Sequence, residues 1–116
     1  MSKIPTDEIR LEQMLTSIED LLEILEGVSF EQFMSTKTLF NSAFHLLIRV
    51  GEEAARLSKP LQAKHPEVQW KEIVGMRNLI VHEYFGMSFQ SIWLIIEHDM
   101  PALKPQIQAI LKELQP

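Results

Sequence analysis

The sequence predicts an all-α fold, an antiparallel bundle of four to five helices. Three observations point there. Apolar residues recur at steps of three and four over most of the chain. The four Gly and six Pro fall mostly at breaks in that pattern. No run of Val, Ile and Thr alternates with polar residues in the manner of a half-buried strand. The 116 residues, 46% of them hydrophobic, read as a single domain over 1–116, able to bury a core and too apolar to be disordered.

The first helix is expected over 7–26. Leu11, Met14, Leu15, Ile18, Leu22 and Leu25 form one stripe, Thr6 caps the start, Asp7 and Glu8 suit the positive end of the dipole, and Gly27 supplies a stop. Ser29-Phe30-Glu31-Gln32 has the form of a capping box and predicts a short helical turn. The next helix is expected over 36–57. Phe40, Ala43, Phe44, Leu47, Gly51 and Ala54 make its stripe, widened by Leu39, Leu46, Val50 and Leu57. So broad a stripe predicts a central helix with more than one neighbour. Its polar face holds Asn41, His45, Arg49, Glu52 and Arg56, which reads as a ladder of ion pairs three and four residues apart. A loop or short turn follows to Pro66. A third helix from 67–70 to His82 carries Ile73, Met76 and Ile80 with Val74, Leu79 and Val81. Ser88 caps a fourth, with Phe89, Ile92, Trp93 and Ile96 facing inward. Asp99 is expected to cap a last helix bearing Leu103, Ile107, Ile110, Leu111 and Leu114. At these spacings Trp70 and Trp93 read as core residues.

Composition excludes several classes of function. There is no Cys, hence no disulfide framework and no thiolate metal site, which fits a reducing compartment such as the cytoplasm. The start shows no basic cap followed by an apolar run, so no signal peptide is expected. The longest apolar run, 92–96, falls far short of the ~20 residues that span a bilayer. A net charge of −5 argues against non-specific coating of nucleic acid. The charge is uneven, however. Residues 7–26 carry seven acids and one base, whereas 49–77 carry six bases and four acids, so a polyanion would meet the middle of the chain.

Chemistry concentrates in Met76-Arg77-Asn78-Leu79-Ile80-Val81-His82-Glu83-Tyr84-Phe85. Arg77, Asn78, His82 and Tyr84 interleave with apolar anchors at the end of a helix. Arg offers an always-charged fork that matches phosphate oxygens, and His titrates near neutrality and can take or give a proton. The set suits phosphoryl transfer on RNA without a metal or cofactor. Asn78 shares a face with His82 and could fix its tautomer, and Tyr84 could bond phosphate or stack on a base. On a regular helix Arg77 and His82 lie about 140° apart. They converge only if the helix unwinds near His82 or if a symmetric second copy supplies one of them. Arg49 and Glu52 are candidates to border the same cleft and contact RNA. Four Arg and four His would give about 0.14 pairs at this offset by chance, so spacing alone does not carry the case.

The run Trp70-Lys71-Glu72-Ile73-Val74-Gly75-Met76-Arg77-Asn78-Leu79-Ile80-Val81-His82-Glu83-Tyr84-Phe85-Gly86 closely resembles the motif region of HepT-like toxins of the HEPN superfamily. Upstream, Gly51-Glu52-Glu53-Ala54-Ala55-Arg56-Leu57-Ser58 resembles that family's Gly-Glu-Ala-Ala segment, with Glu53 standing where Ala is usual. The stretch from Ile92-Trp93 through Asp99-Met100-Pro101-Ala102-Leu103-Lys104 also agrees in order and spacing. The resemblance implies a homodimeric HEPN-type bundle whose motif regions meet at the dimer interface, and a metal-independent endoribonuclease toxin acting on RNA, tRNA among the options. It also implies an MntA-type nucleotidyltransferase antitoxin that adds AMP to the motif tyrosine. Carried onto this chain, Arg77 and His82 are catalytic, Asn78 supports them, and Tyr84 is the modified residue. Two other readings compete: a non-catalytic helical adaptor that presents a substrate or Tyr84 to a nucleotidyltransferase, and a structural dimer that keeps the motif for packing. A further constellation, Glu97, His98 and Asp99, looks like a ligand set in sequence, but adjacent helical residues point apart. His65, before Pro66, carries no signal.

Overall fold

The structure is a computed structural model that describes residues 6–83 and 88–115. Every element among them is helical: α1 (Asp7–Ile24), α2 (Phe30–Ser35), α3 (Lys37–Ala55), α4 (Lys59–Lys64), α5 (Trp70–Glu83), α6 (Phe89–Leu94) and α7 (Met100–Leu114). Helix α3 is the hub. It packs on α1 along one side and on α5 along the other, while α7 covers α1 and α2 bridges α3 and α6. The start of α1 lies beside the end of α3, because Arg10 meets Glu53 and Gln13 meets Arg49. These two helices therefore run antiparallel.

The expected stripes are buried, and they explain why α3 sits at the centre. Ala43, Phe44, Leu47, Val50, Gly51 and Ala54 are all inaccessible, against Leu11, Met14, Ile18 and Leu21 of α1 and Ile73, Met76 and Ile80 of α5. Thr6 accepts a hydrogen bond from the Ile9 amide, and Ser29 forms a full capping box with Gln32. At the far end of the core Phe33 is wholly buried, with Phe44, Phe89 and Trp93 around it at ring-centroid distances of 5.0–6.2 Å. Each such aromatic pair adds about 0.5–1.5 kcal/mol beyond its buried area. Trp70 is buried too, and its indole N–H donates to the His65 carbonyl. Trp70 is thus a core residue, and Trp93 is half-buried and packs against the core.

Three expectations are corrected. The segment before Pro66 contains a helix, α4. Ser58 caps it through the Leu61 amide, Pro60 sits in its first turn, where a missing N–H costs nothing, and the Asp7 carboxylate accepts from the Ser58 amide and hydroxyl. Second, Asp99 does not cap a separate last helix. Its backbone is helical and its side chain makes no capping bond. Helices α6 and α7 instead join through a π turn, Ile95–Asp99. Just beyond it stands Pro101, whose ring would press on the carbonyl of residue 97 in a regular α-turn. The widened ladder relieves that clash and the chain continues unbroken. Third, Leu79 and Val81 do not face the core: they are 36% and 49% exposed. No described helix is long and apolar enough to cross a membrane.

Candidate active site

Helix α5 carries Arg77, Asn78 and His82. Its first half is anchored on both sides, with Trp70, Ile73 and Met76 buried. Beyond Met76, among the described side chains, only Ile80 still points inward, while Arg77, Asn78, Leu79, Val81 and His82 are all exposed. The last turns of α5 thus project a surface that is polar and apolar at once.

The helix remains regular through Glu83. Arg77 and His82 are therefore separated by about 140° of rotation and about 7.5 Å of rise. Unwinding before His82, one of the two routes by which they could converge, does not occur. Among the described residues no side-chain hydrogen bond joins Asn78 to His82, although they share a face. Tyr84 lies outside the described residues.

The guanidinium of Arg77 is paired across helices. Its Nε lies 3.4 Å from Oε1 of Glu52 on α3, with the two side chains 60% and 35% exposed. The approach of the two helices makes this possible. A Cβ at Gly51 would lie 3.0 Å from the Ile73 carbonyl oxygen and 3.6 Å from the Arg77 amide nitrogen, so a larger residue there would push the α5 backbone away by a few tenths of an ångström. Gly51, Glu52, Ala55, Arg56, Val74, Arg77 and Asn78 line a cleft of about 210 Å³.

Of the other residues singled out in the sequence, Arg49 does not reach this cleft. It turns towards α1, where its Nη2 donates to Oε1 of Gln13 at 3.2 Å. His45 borders a separate groove with Asp20, Glu23 and Ile24. Of the expected ion-pair ladder along α3, one pair three residues apart forms at its end, with Glu53 in place of Glu52, and the other contacts reach across to neighbouring helices. Adjacent residues differ by about 100° around a helix, so Glu52 turns to Arg77 while Glu53 turns to Arg10 on α1, at 3.4 Å. Arg56 joins Glu53 at 3.6 Å. The Glu at 53, unusual for the motif, thus has its own half-buried partner, with Arg10 and Glu53 only 15% and 19% exposed.

The pairing of Glu52 with Arg77 was not legible in the sequence, since the two are twenty-five residues apart. Its one sequence trace is Gly51, a residue without a side chain inside a stripe of large apolar groups. His65 also gains a role the sequence did not reveal. Its ring nitrogens lie 3.3 Å from a Glu67 carboxylate oxygen and 3.2 Å from one of Glu113, tying the connection between α4 and α5 to the end of α7. Among the described residues no group of three or more His, Cys, Asp or Glu is placed to hold a metal ion.

The profile of the family described as Ribonuclease HepT-like matches residues 14–110. A Caldanaerobacter subterraneus protein named "Putative RNase" is 39% identical over 103 residues, 89% of this chain and 92% of that protein. One from Methanocaldococcus jannaschii with the same designation is 29% identical over 100 residues, 86% and 92% of the two chains. A "Probable ribonuclease HepT" from Thermococcus cleftensis is 28% identical over 102 residues, 88% and 93%. No solved structure is significantly similar.

Proposed function

The chain belongs to the HepT-like ribonuclease family, and from that premise we propose that it is an endoribonuclease working as a homodimer, with Arg77 and His82 as its catalytic pair. The observation that carries the proposal is the regularity of α5 through Glu83 with both side chains in solvent. Two such groups on different faces of one helix serve a single phosphodiester when a two-fold axis brings the second copy of α5 alongside. Leu79 and Val81, exposed beside the motif, supply apolar surface for that contact.

In this reading Arg77 of one protomer holds the non-bridging phosphate oxygens and stabilises the charge that builds on them in the transition state. His82 of its partner takes the proton from the ribose 2′-hydroxyl. The 2′-oxygen attacks phosphorus, the bond from phosphorus to the 5′-oxygen breaks, and a proton passes to that leaving oxygen. The products are a 2′,3′-cyclic phosphate and a 5′-hydroxyl, and no metal enters any step. General acid–base help is typically worth about 10²–10⁴-fold, and oriented charge a similar factor.

The finer reading makes the protein the toxin of a HepT/MntA-type pair, silenced when a nucleotidyltransferase adds AMP to Tyr84. Bulk and about one negative charge two residues from His82 would occupy the place of the RNA phosphate and repel it. Transfer RNA is a fitting substrate class, and the cytoplasm is where such RNA is met.

The test is cleavage of RNA in the presence of EDTA by wild type and by His82→Ala. Cleavage by wild type alone supports the proposal. No cleavage by wild type, or equal cleavage by both, overturns it.

A further inference from the structure

We propose that Glu52 is a positioning residue for Arg77. It holds the guanidinium by its Nε edge, so that the two terminal nitrogens face the RNA phosphate as a ready fork. The inference rests on the ribonuclease reading and assigns Glu52 a task other than touching RNA.

The geometry selects this role. Glu52 Oε1 approaches Nε at 3.4 Å. A guanidinium presents five N–H groups on a rigid plane, and the edge formed by its terminal nitrogens is one that matches phosphate bidentately. A carboxylate at Nε leaves that edge open. Arg77 is also mostly in solvent, where an untethered arginine samples many rotamers and only a fraction of them aim at a given phosphate. The tether springs from a fixed point. Glu52 follows Gly51, where α3 and α5 are held so close that even a Cβ would lie 3.0 Å from the Ile73 carbonyl oxygen. The carboxylate therefore stands on the rigid helix–helix contact, and the arginine at the projecting end borrows that rigidity.

Direct contact between Glu52 and RNA is the weaker account, because a carboxylate beside a phosphate repels it. A purely stabilising role is weaker as well, since exposed ion pairs contribute little to folding. A positioning role predicts a defect in turnover with little change in binding or melting. It also predicts rescue by glutamine, whose carbonyl oxygen can accept a hydrogen bond from Nε–H at the same place.

The experiment measures RNA cleavage by wild type, Glu52→Ala and Glu52→Gln, with melting curves. Alongside it, the ¹⁵N–¹H resonance of the Arg77 Nε group is followed, identified by its loss in Arg77→Ala. Expected for Glu52→Ala is a fall in kcat of about 10- to 100-fold with KM within about threefold of wild type. Glu52→Gln should lie within about fivefold of wild type. The Nε–H signal should resist exchange in wild type and Glu52→Gln and exchange rapidly in Glu52→Ala. The inference is overturned if wild type is active and Glu52→Ala matches it within twofold. It is equally overturned if the loss lies in KM, if Glu52→Gln is as impaired as Glu52→Ala, or if the Nε–H signal is indifferent to residue 52. An inactive wild type is a different result: it removes the ribonuclease reading and this inference with it.

Discussion

Two glycines in adjoining helices allow the close approach of α3 and α5 to be tested by an identical change. Gly51→Ala adds a methyl that would lie 3.0 Å from the Ile73 carbonyl oxygen, a backbone atom that cannot rotate aside. Gly75→Ala adds the same methyl where nothing lies within 4 Å. Both sites are helix interiors, so both gain about 0.8–1 kcal/mol from the better helix former. Only the first incurs overpacking, typically about 1–3 kcal/mol. At about 2.1 cal/mol/K per residue, the 116 residues give a melting entropy near 0.24 kcal/mol/K, so 1 kcal/mol shifts Tm by about 4 °C. Gly75→Ala should melt about 3–4 °C above wild type, and Gly51→Ala about 4–12 °C below Gly75→Ala. Circular dichroism melts at one fixed protein concentration measure the gap. Gly51→Ala should also cleave RNA more slowly, because separating the helices draws Glu52 from Arg77. Equal melting temperatures for the two variants would refute the reasoning.

Three further outcomes are expected. Glu53→Gln should destabilise the fold by about 1–2 kcal/mol in urea titration, because it leaves the half-buried Arg10 without its counter-charge; no change would mean that this pair contributes nothing. Val81→Asp should convert a dimer to a monomer in light scattering and abolish cleavage, because it places a charge in the proposed contact; an unchanged dimer would move the interface elsewhere. Incubation with a cognate nucleotidyltransferase and ATP should raise the mass by one or more AMP units, and Tyr84→Phe should prevent it; AMP retained by Tyr84→Phe would assign the modification to another residue.

Much of the fold could be read from periodicity, because burial repeats at the helical step. The stripes of α1 and α3 name nearly the residues that are inaccessible, and Ser29 and Gln32 announce their capping box. What could not be read depends on tertiary contact or on ladder geometry. Leu79 and Val81 look like core from hydrophobicity, yet they emerge on the projecting end of α5, where none of the described helices covers them. Asp99 looks like a cap because Pro101 follows, yet a π turn absorbs the proline and the helix continues. At the site, Arg77 and His82 were found by residue type and motif. Sequence makes both Arg49 and Glu52 candidates to border the cleft, and that only Glu52 does so is decided by how α3 is rotated between its two neighbours.

The central claim is that Arg77 of one protomer and His82 of the other act on the same phosphate. It is tested most directly by mixing two inactive proteins, Arg77→Ala and His82→Ala, under conditions that exchange subunits. Half the dimers should then be mixed, and each mixed dimer has one site of its two with both groups intact. Ribonuclease activity should return to about one quarter of wild type. If each site were built within a single chain, no mixed dimer would hold an intact pair, and a mixture as inactive as its components would contradict the account.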